Sequence, residues 1–304
     1  MSDASASPTS DRMTDNVRGA LWMVASCVAA SAMMVAIRLL SEELDSRMIA
    51  FLRSFLGLLV VVIWLLDGSF FRIRITKPWL HVARGVLMAF ATNLGFYAIS
   101  ALPMATANIL FFLAPVFATA LAGPILAERV GPRRWSAVIA GLLGTAIILR
   151  PGVGAFDPAM LAAVLSAVCF SVSLLLTRIL GADNSPKSVM LTSLFIASLV
   201  TFPIALPVWA MPADLSGWAL VAAVVVASNT RQYCDIRAYA IGEAGFLAPF
   251  SYLRLLFVAV AGWWLFQDVI DAWTVAGGTV IIGATLYIAQ RESKLGKRIA
   301  GSAA

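Results

Sequence analysis

The chain has 304 residues, 61% of them hydrophobic and only 12% charged, with a formal net charge of +6 and a mean hydropathy of +0.91. Soluble domains are about 25% charged, so this composition excludes a soluble enzyme, a disordered chain and a coiled coil, and at about 20 apolar residues per bilayer span it leaves no room for a separate soluble domain. The basic residues stand singly or in pairs between apolar blocks, which excludes nucleic acid as a partner and fits the loops of a protein whose partner is the lipid bilayer.

In chain order, residues 1–16 are polar and predict a disordered cytoplasmic tail. The uncharged run Gly19–Ile37 predicts the first span, and the long polar stretch before it argues against a cleaved signal peptide. Nine further spans are predicted at 48–66, 78–100, 104–126, 134–150, 158–179, 188–210, 215–234, 244–266 and 272–290. Turn clusters such as Asp67-Gly68-Ser69, Pro151-Gly152 and Asp183-Asn184-Ser185-Pro186 separate them, and residues 292–304 form a basic cytoplasmic tail. With the N-terminus inside, the inner loops and tails collect 15 Lys and Arg against 3 on the outside. That bias places both termini in the cytoplasm.

The chain also repeats itself. At an offset of 140, Arg38-Leu39-Leu40 matches Arg178-Ile179-Leu180 and Glu128 matches Asp268. Trp135 and Trp273 open the following spans at an offset of 138, and Gly144 and Gly283 match at 139. The expected fold class is an all-α integral membrane protein of ten transmembrane helices. Five helices per copy force the second copy into the membrane upside down, so the two five-helix repeats are inverted. Such repeats place a substrate site near the midplane between the halves.

The segment Ala101–Gly152 carries a small-residue-rich helix, a central Pro115, a closing acid at Glu128, then Trp and Gly in the next span. It resembles the EamA-type drug/metabolite transporter superfamily, and Ala240–Ala289 resembles the second half of the same family. The resemblance implies EamA-type repeats at 17–150 and 157–291, a central cavity lined by helices 1–4 and 6–9, and helices 5 and 10 as outer buttresses. It also implies a secondary carrier of a small organic metabolite in the bacterial inner membrane, acting by alternating access, as a monomer or homodimer. Arg84-Gly85 and Ala248-Pro249-Phe250-Ser251-Tyr252 are similar to a subgroup containing riboflavin and S-adenosylmethionine uptake carriers. Gln267-Asp268 stands where the family shows Gly-Glu, and Arg254-Leu255 stands where it shows an acid and Pro. A multidrug or metabolite exporter of the same fold and a non-transporting membrane assembly or receptor subunit are the alternatives.

Four arginines interrupt the predicted spans: Arg53, Arg84, Arg231 and Arg254. A charge at mid-membrane costs about 2.5–3.5 kcal/mol on insertion scales and faces a bundle interior or wet cavity. Arg254, about ten residues into its span, is the strongest candidate; Arg53 and Arg84 are either cavity residues or interface anchors with snorkelling stems. Arg231 is either a substrate-pathway residue or one that caps its helix or pairs with Asp235. Asn93 and Tyr97, one helical turn apart, share a face and join Asn108, Tyr233 and Tyr252 in the candidate substrate pathway, while Pro115 and Pro249 are candidate hinges. No HExxH, CxxC, GxSxG or phosphate loop occurs, so neither an enzyme nor a metal or other cofactor is expected. No Asp or Glu falls at mid-span, Asp235 being placed at a helix end, so transport without a buried acid is expected.

Overall fold

The computed structural model describes residues 8–65, 75–126, 131–149, 157–181, 183–241, 247 and 250–302. Among the described residues there is no strand; the helices are α1 (Pro8–Leu40), α2 (Ser46–Leu65), α3 (Pro78–Ala101), α4 (Met104–Phe111), α5 (Ala114–Leu126), α6 (Pro132–Leu149), α7 (Pro158–Gly181), α8 (Pro186–Ala205), α9 (Leu215–Ile241), α10 (Leu253–Phe266) and α11 (Ala272–Ser302). Six stretches are long and apolar enough to cross a membrane, α4 and α5 together forming one of them, and α6, α10 and α11 add shorter apolar runs. The 27-residue α9 has the length, but Ser228-Asn229-Thr230-Arg231-Gln232 interrupts its apolar run.

Three helix boundaries differ from expectation. Helix α1 starts at Pro8, inside the predicted disordered tail, because a nucleated helix propagates cheaply through a stretch without further Pro or Gly. Helix α9 runs to Ile241, which puts Asp235 inside the helix rather than at its end. The fourth predicted span is broken at Phe112–Leu113. Pro115 has no N–H to give the Phe111 carbonyl and its ring crowds that oxygen, so α4 ends at Phe111. The chain tightens there, with the N–H groups of Phe112 and Leu113 bonding Ile109 and Leu110 at 3.0 and 3.1 Å.

Turn contacts fix the alternating direction of the helices. At one face the Glu43 carboxylate accepts from the Ala213 N–H at 2.6 Å, Arg38 donates to the Ile99, Ser100 and Leu102 carbonyls, and Asp268 accepts from the Met104 N–H at 2.8 Å. At the opposite face the Thr76 N–H donates to Asn184 Oδ1 and Lys77 pairs with Asp183, both at 2.8 Å.

The pairing of helices has two-fold character. Helix α1 lies along α9 as α3 lies along α7, and α2–α8 and α6–α11 each pair a span with its own counterpart. Phe112 and Tyr252 are 140 residues apart, and their rings stack at 5.0 Å and 17°, so the pseudo-two-fold axis passes between them. Leu40 and Leu180, the ends of the matched tripeptides, are both fully buried. The Gly144–Gly283 match does not hold as a packing equivalence: a Cβ on Gly283 would meet nothing within 4 Å. Gly144 instead crosses Gly277, where a Cβ would lie 2.7 Å from the Gly277 carbonyl oxygen, and a Cβ on Gly277 would run into the Gly144 carbonyl. At the constant offset their counterparts are Ala284 and Ala137, both buried, which completes a small-residue seam on α6 and α11. Small residues let helix backbones meet closely where apolar surface gives no driving force against lipid.

The main core gathers Ile37, Leu40, Leu44, Met48, Ile49, Leu102 and Met104 near the face of Glu43 and Asp268. Towards the opposite face the apolar packing is split into separate clusters, one of Ala20, Met23, Ala238 and Leu247 and one of Leu80, Leu176, Leu180 and Val189.

Candidate functional site

A cavity of about 180 Å³ lies among α1, α2, α3, α4, α5, α7, α9 and α10. No described residue of α6, α8 or α11 lines it. The seam residues hold α6 and α11 against each other outside the cavity, as buttresses, and α8 packs instead on α2 and α3. Three guanidiniums line the cavity: Arg53 from α2, Arg231 from α9 and Arg254 from α10. Asn108, Thr92 and Ser166 supply neutral polar groups, while Met33, Met34, Met88, Phe96, Phe111 and Phe170 make a soft, aromatic wall. Among the described lining residues there is no carboxylate.

Each arginine is held differently. Arg231 Nη1 donates to Asp235 Oδ2 at 3.0 Å, one turn further along α9, and Ser26 Oγ on α1 donates to the other carboxylate oxygen at 2.5 Å. The Arg231 Nε has no hydrogen-bond partner. The Arg254 guanidinium sits 4.7 Å over the Phe112 ring, whose other neighbour is Tyr252. A cation over an aromatic face is worth about 0.5–2 kcal/mol, and the Pro115-induced break is what brings Phe112 to this position. Arg53 and Arg231 both line the cavity, so like charges share one space with low-dielectric walls around it.

Asn108 lines the cavity from α4, one turn before Phe112. It is 1% exposed, and neither its amide nitrogen nor its amide oxygen has a hydrogen-bond partner in the protein. A buried amide left unmatched costs about 1–3 kcal/mol, so this residue is poised to donate and accept at once towards whatever fills the cavity.

The other candidates lie elsewhere. Arg84 points away from the cavity and ties three helices together, donating from Nε to Thr177 Oγ1 at 2.7 Å and from Nη1 to the Val189 carbonyl at 3.2 Å. Asn93 returns its amide to the Ala89 carbonyl within α3, and Tyr97 is 41% exposed, so the expected shared face is not the cavity face. That face carries Met88, Thr92, Gly95 and Ile99, offset by about one residue, or 100° around the helix. Tyr233 is on the outer surface of α9, edge-on to Trp22 and accepting from Arg237 at 3.0 Å. Tyr252 stacks on Phe112 and is not among the lining residues. Pro249 lies outside the described residues. His81 is buried between α3 and α8 with Nδ1 2.8 Å from Thr192 Oγ1.

The expected pairing of Arg231 with Asp235 is present, whereas sequence reasoning missed Ser26 and the methionine and phenylalanine wall. The i, i+4 spacing of Arg231 and Asp235 was a signal for the pair; nothing local marked Ser26, whose partner is 209 residues away.

Residues 17–150 and 157–290 each match the EamA-like transporter family, and the chain belongs to that family. It is 28% identical to an S-adenosylmethionine uptake transporter from Rickettsia prowazekii, over 93% of this chain and 96% of the relative. A riboflavin transporter from Rhizobium johnstonii is 31% identical over 91% and 93%, and a pseudopaline exporter from Pseudomonas aeruginosa 29% over 90% and 96%. A crystal structure with 18% identity superposes with a TM-score of 0.60, covering 89% of this chain and 95% of that one, which shows the shared fold. The chain is thus a multi-pass membrane protein of a small-molecule transporter family, not an enzyme.

Proposed function

We propose that this member of the EamA-like transporter family is a secondary carrier that moves a small organic molecule across the bacterial inner membrane by alternating access. The observation that carries the reading is the cavity between the two halves, with three guanidiniums and an unmatched Asn108 in its wall. Arg53, Arg231 and Arg254 bind an anionic or strongly hydrogen-bond-accepting portion of the substrate, which guanidinium holds bidentately. Phe96, Phe111 and Phe170, with the methionines, take a planar or apolar portion. Arg84, Asn93, Tyr97, Tyr233 and Tyr252 support the helices around the pathway. The break before Pro115 is the hinge at which α4 and α5 re-angle.

The two halves, 17–150 and 157–291, rock against each other around this site. The continuous core near Glu43 and Asp268 is the closed gate, and the split clusters at the opposite face border the open one. Both termini are cytoplasmic, so the state is inward-facing. Because alternating access is reversible, direction follows the gradient. Export is the second reading, favoured by the likeness to the pseudopaline exporter.

Counterflow in proteoliposomes tests the carrier, with labelled riboflavin and S-adenosylmethionine as the first solutes. Saturable uptake driven by unlabelled solute inside is expected, and no flux of any organic anion or flavin under any gradient overturns it. Reporter fusions after Arg74 and Arg133 and at the C-terminus are expected in the cytoplasm, and fusions at Glu42 and Asp157 outside; a periplasmic C-terminus overturns the topology.

A further inference from the structure

The crossing of α1 with α9 and that of α3 with α7 are the same contact made twice, and their chemistry differs at matched positions. Ser26 on α1 corresponds to Ser166 on α7, and Arg231 and Asp235 on α9 correspond to Ala91 and Gly95 on α3, all at the offset of 140. In the neutral crossing Ser166 Oγ donates to the Ala91 carbonyl at 2.7 Å, and a Cβ on Gly95 would lie 2.9 Å from the Ser166 Oγ. In the charged crossing Ser26 turns to Asp235 instead. A charge pair is therefore not required for two helices to cross this way; Ala and Gly with the same serine do it.

What the pair adds is electrostatic. Arg231 lines the cavity together with Arg53, while Asp235 stands one turn further along α9 and outside the lining. The carboxylate takes Nη1, leaving Nε without a partner. An anionic group in the cavity would meet Arg231 from the other side and compete with Asp235 for the same positive charge.

We propose that Asp235 is a resident counter-ion that substitutes for the substrate's anionic group on Arg231 when the cavity is empty, and thereby sets how strongly the site holds anions. It is a positioning residue, held in place by Ser26, and it lowers anion affinity enough for release. The inference rests on the reading of the cavity as the substrate site.

The sign of one substitution separates this role from a structural one. Asp235→Asn keeps the shape and an oxygen for Ser26 but removes the competing charge. Benzamide, benzoate and isophthalate serve as probes of one ring carrying no, one and two negative charges, their binding to purified full-length protein read by calorimetry and by thermal stabilisation. In Asp235→Asn, isophthalate and benzoate are expected to bind about tenfold more tightly, the scale of one charge-assisted hydrogen bond, with benzamide unchanged. Combined with Arg231→Gln, the gain is expected to vanish. Should Asp235→Asn not fold, Asp235→Gly reproduces the residue at position 95 and is expected to give the same sign. Weaker or unchanged anion binding in these variants overturns the proposal, as does the absence of any anion binding in every variant. Flux of a solute that is indifferent to Asp235→Asn leaves the carrier standing and removes only this role.

Discussion

The α1–α9 and α3–α7 crossings are one packing solution used in two halves, and at the matched positions 91/231 and 95/235 only one of them carries charge. Arg231, Asp235 and Arg254 stand where the first half has Ala91, Gly95 and Ala114, and Arg53 stands where the second half has Ser193. Ala91, Gly95 and Ala114 all line the cavity, so the neutral positions supply room, and in the proposed carrier Arg231 and Arg254 supply recognition. Symmetry thus builds the frame, and the departures from symmetry build the site. The lesson is that in a duplicated membrane protein the unmatched polar residue is informative because a bilayer interior makes each one costly.

Making the second half resemble the first is the sharpest way to break this contrast. Arg254→Ala installs the residue at position 114, and we expect transport to be abolished while the protein inserts and folds, read by proteoliposome flux and size-exclusion profile. Normal flux would show that the asymmetry at this position carries no recognition.

The shared seam predicts the opposite pattern, a loss of stability. Gly277→Ala forces a Cβ into the Gly144 carbonyl, a backbone atom that cannot step aside. We expect a cost of about 1–3 kcal/mol, visible as a lowered unfolding midpoint in detergent. Gly283→Ala, with nothing within 4 Å, is expected to be neutral or to stabilise.

Arg231→Ala alone strands the Asp235 carboxylate among α1 and α9 and is expected to cost about 1–3 kcal/mol, the penalty of a partly buried unpaired charge. Arg231→Ala with Asp235→Gly recreates the neutral crossing and is expected to recover most of that stability without recovering transport. A double variant no more stable than the single one would mean that the two crossings are not equivalent.

The smallest effect concerns Gln267, which ends α10 with φ 55°. A side chain pays a steric penalty in that left-handed conformation, and glycine does not. Gln267→Gly is expected to stabilise by about 1 kcal/mol with flux unchanged, while Asp268 continues to cap α4 through the Met104 N–H.

Much of this was legible without coordinates. Apolar runs and Pro, Gly and Asp clusters mark the spans, because length and hydropathy are all a bilayer asks of a helix. The repeat was legible too, although the offset drifted to 138 and 139 around Trp135 and Gly144 where several small residues compete for the match. Arg254 was singled out by its depth alone. Arg84, with a similar charge and shallower depth, satisfies its guanidinium on Thr177 and Val189, and only those neighbours separate a brace from a binding group.

Composition, periodicity and repeat arithmetic by themselves determined that the chain is a helical membrane protein of two related halves, because those properties follow from how each segment meets lipid. Tertiary structure alone decided that Arg53, Arg231 and Arg254 share one cavity, that Asp235 reaches Ser26 across 209 residues, and that Asn93 and Tyr97 do not face the cavity. Which side of a helix looks inward depends on its neighbours, and in a chain this uniformly apolar the hydrophobic pattern has little contrast with which to record it.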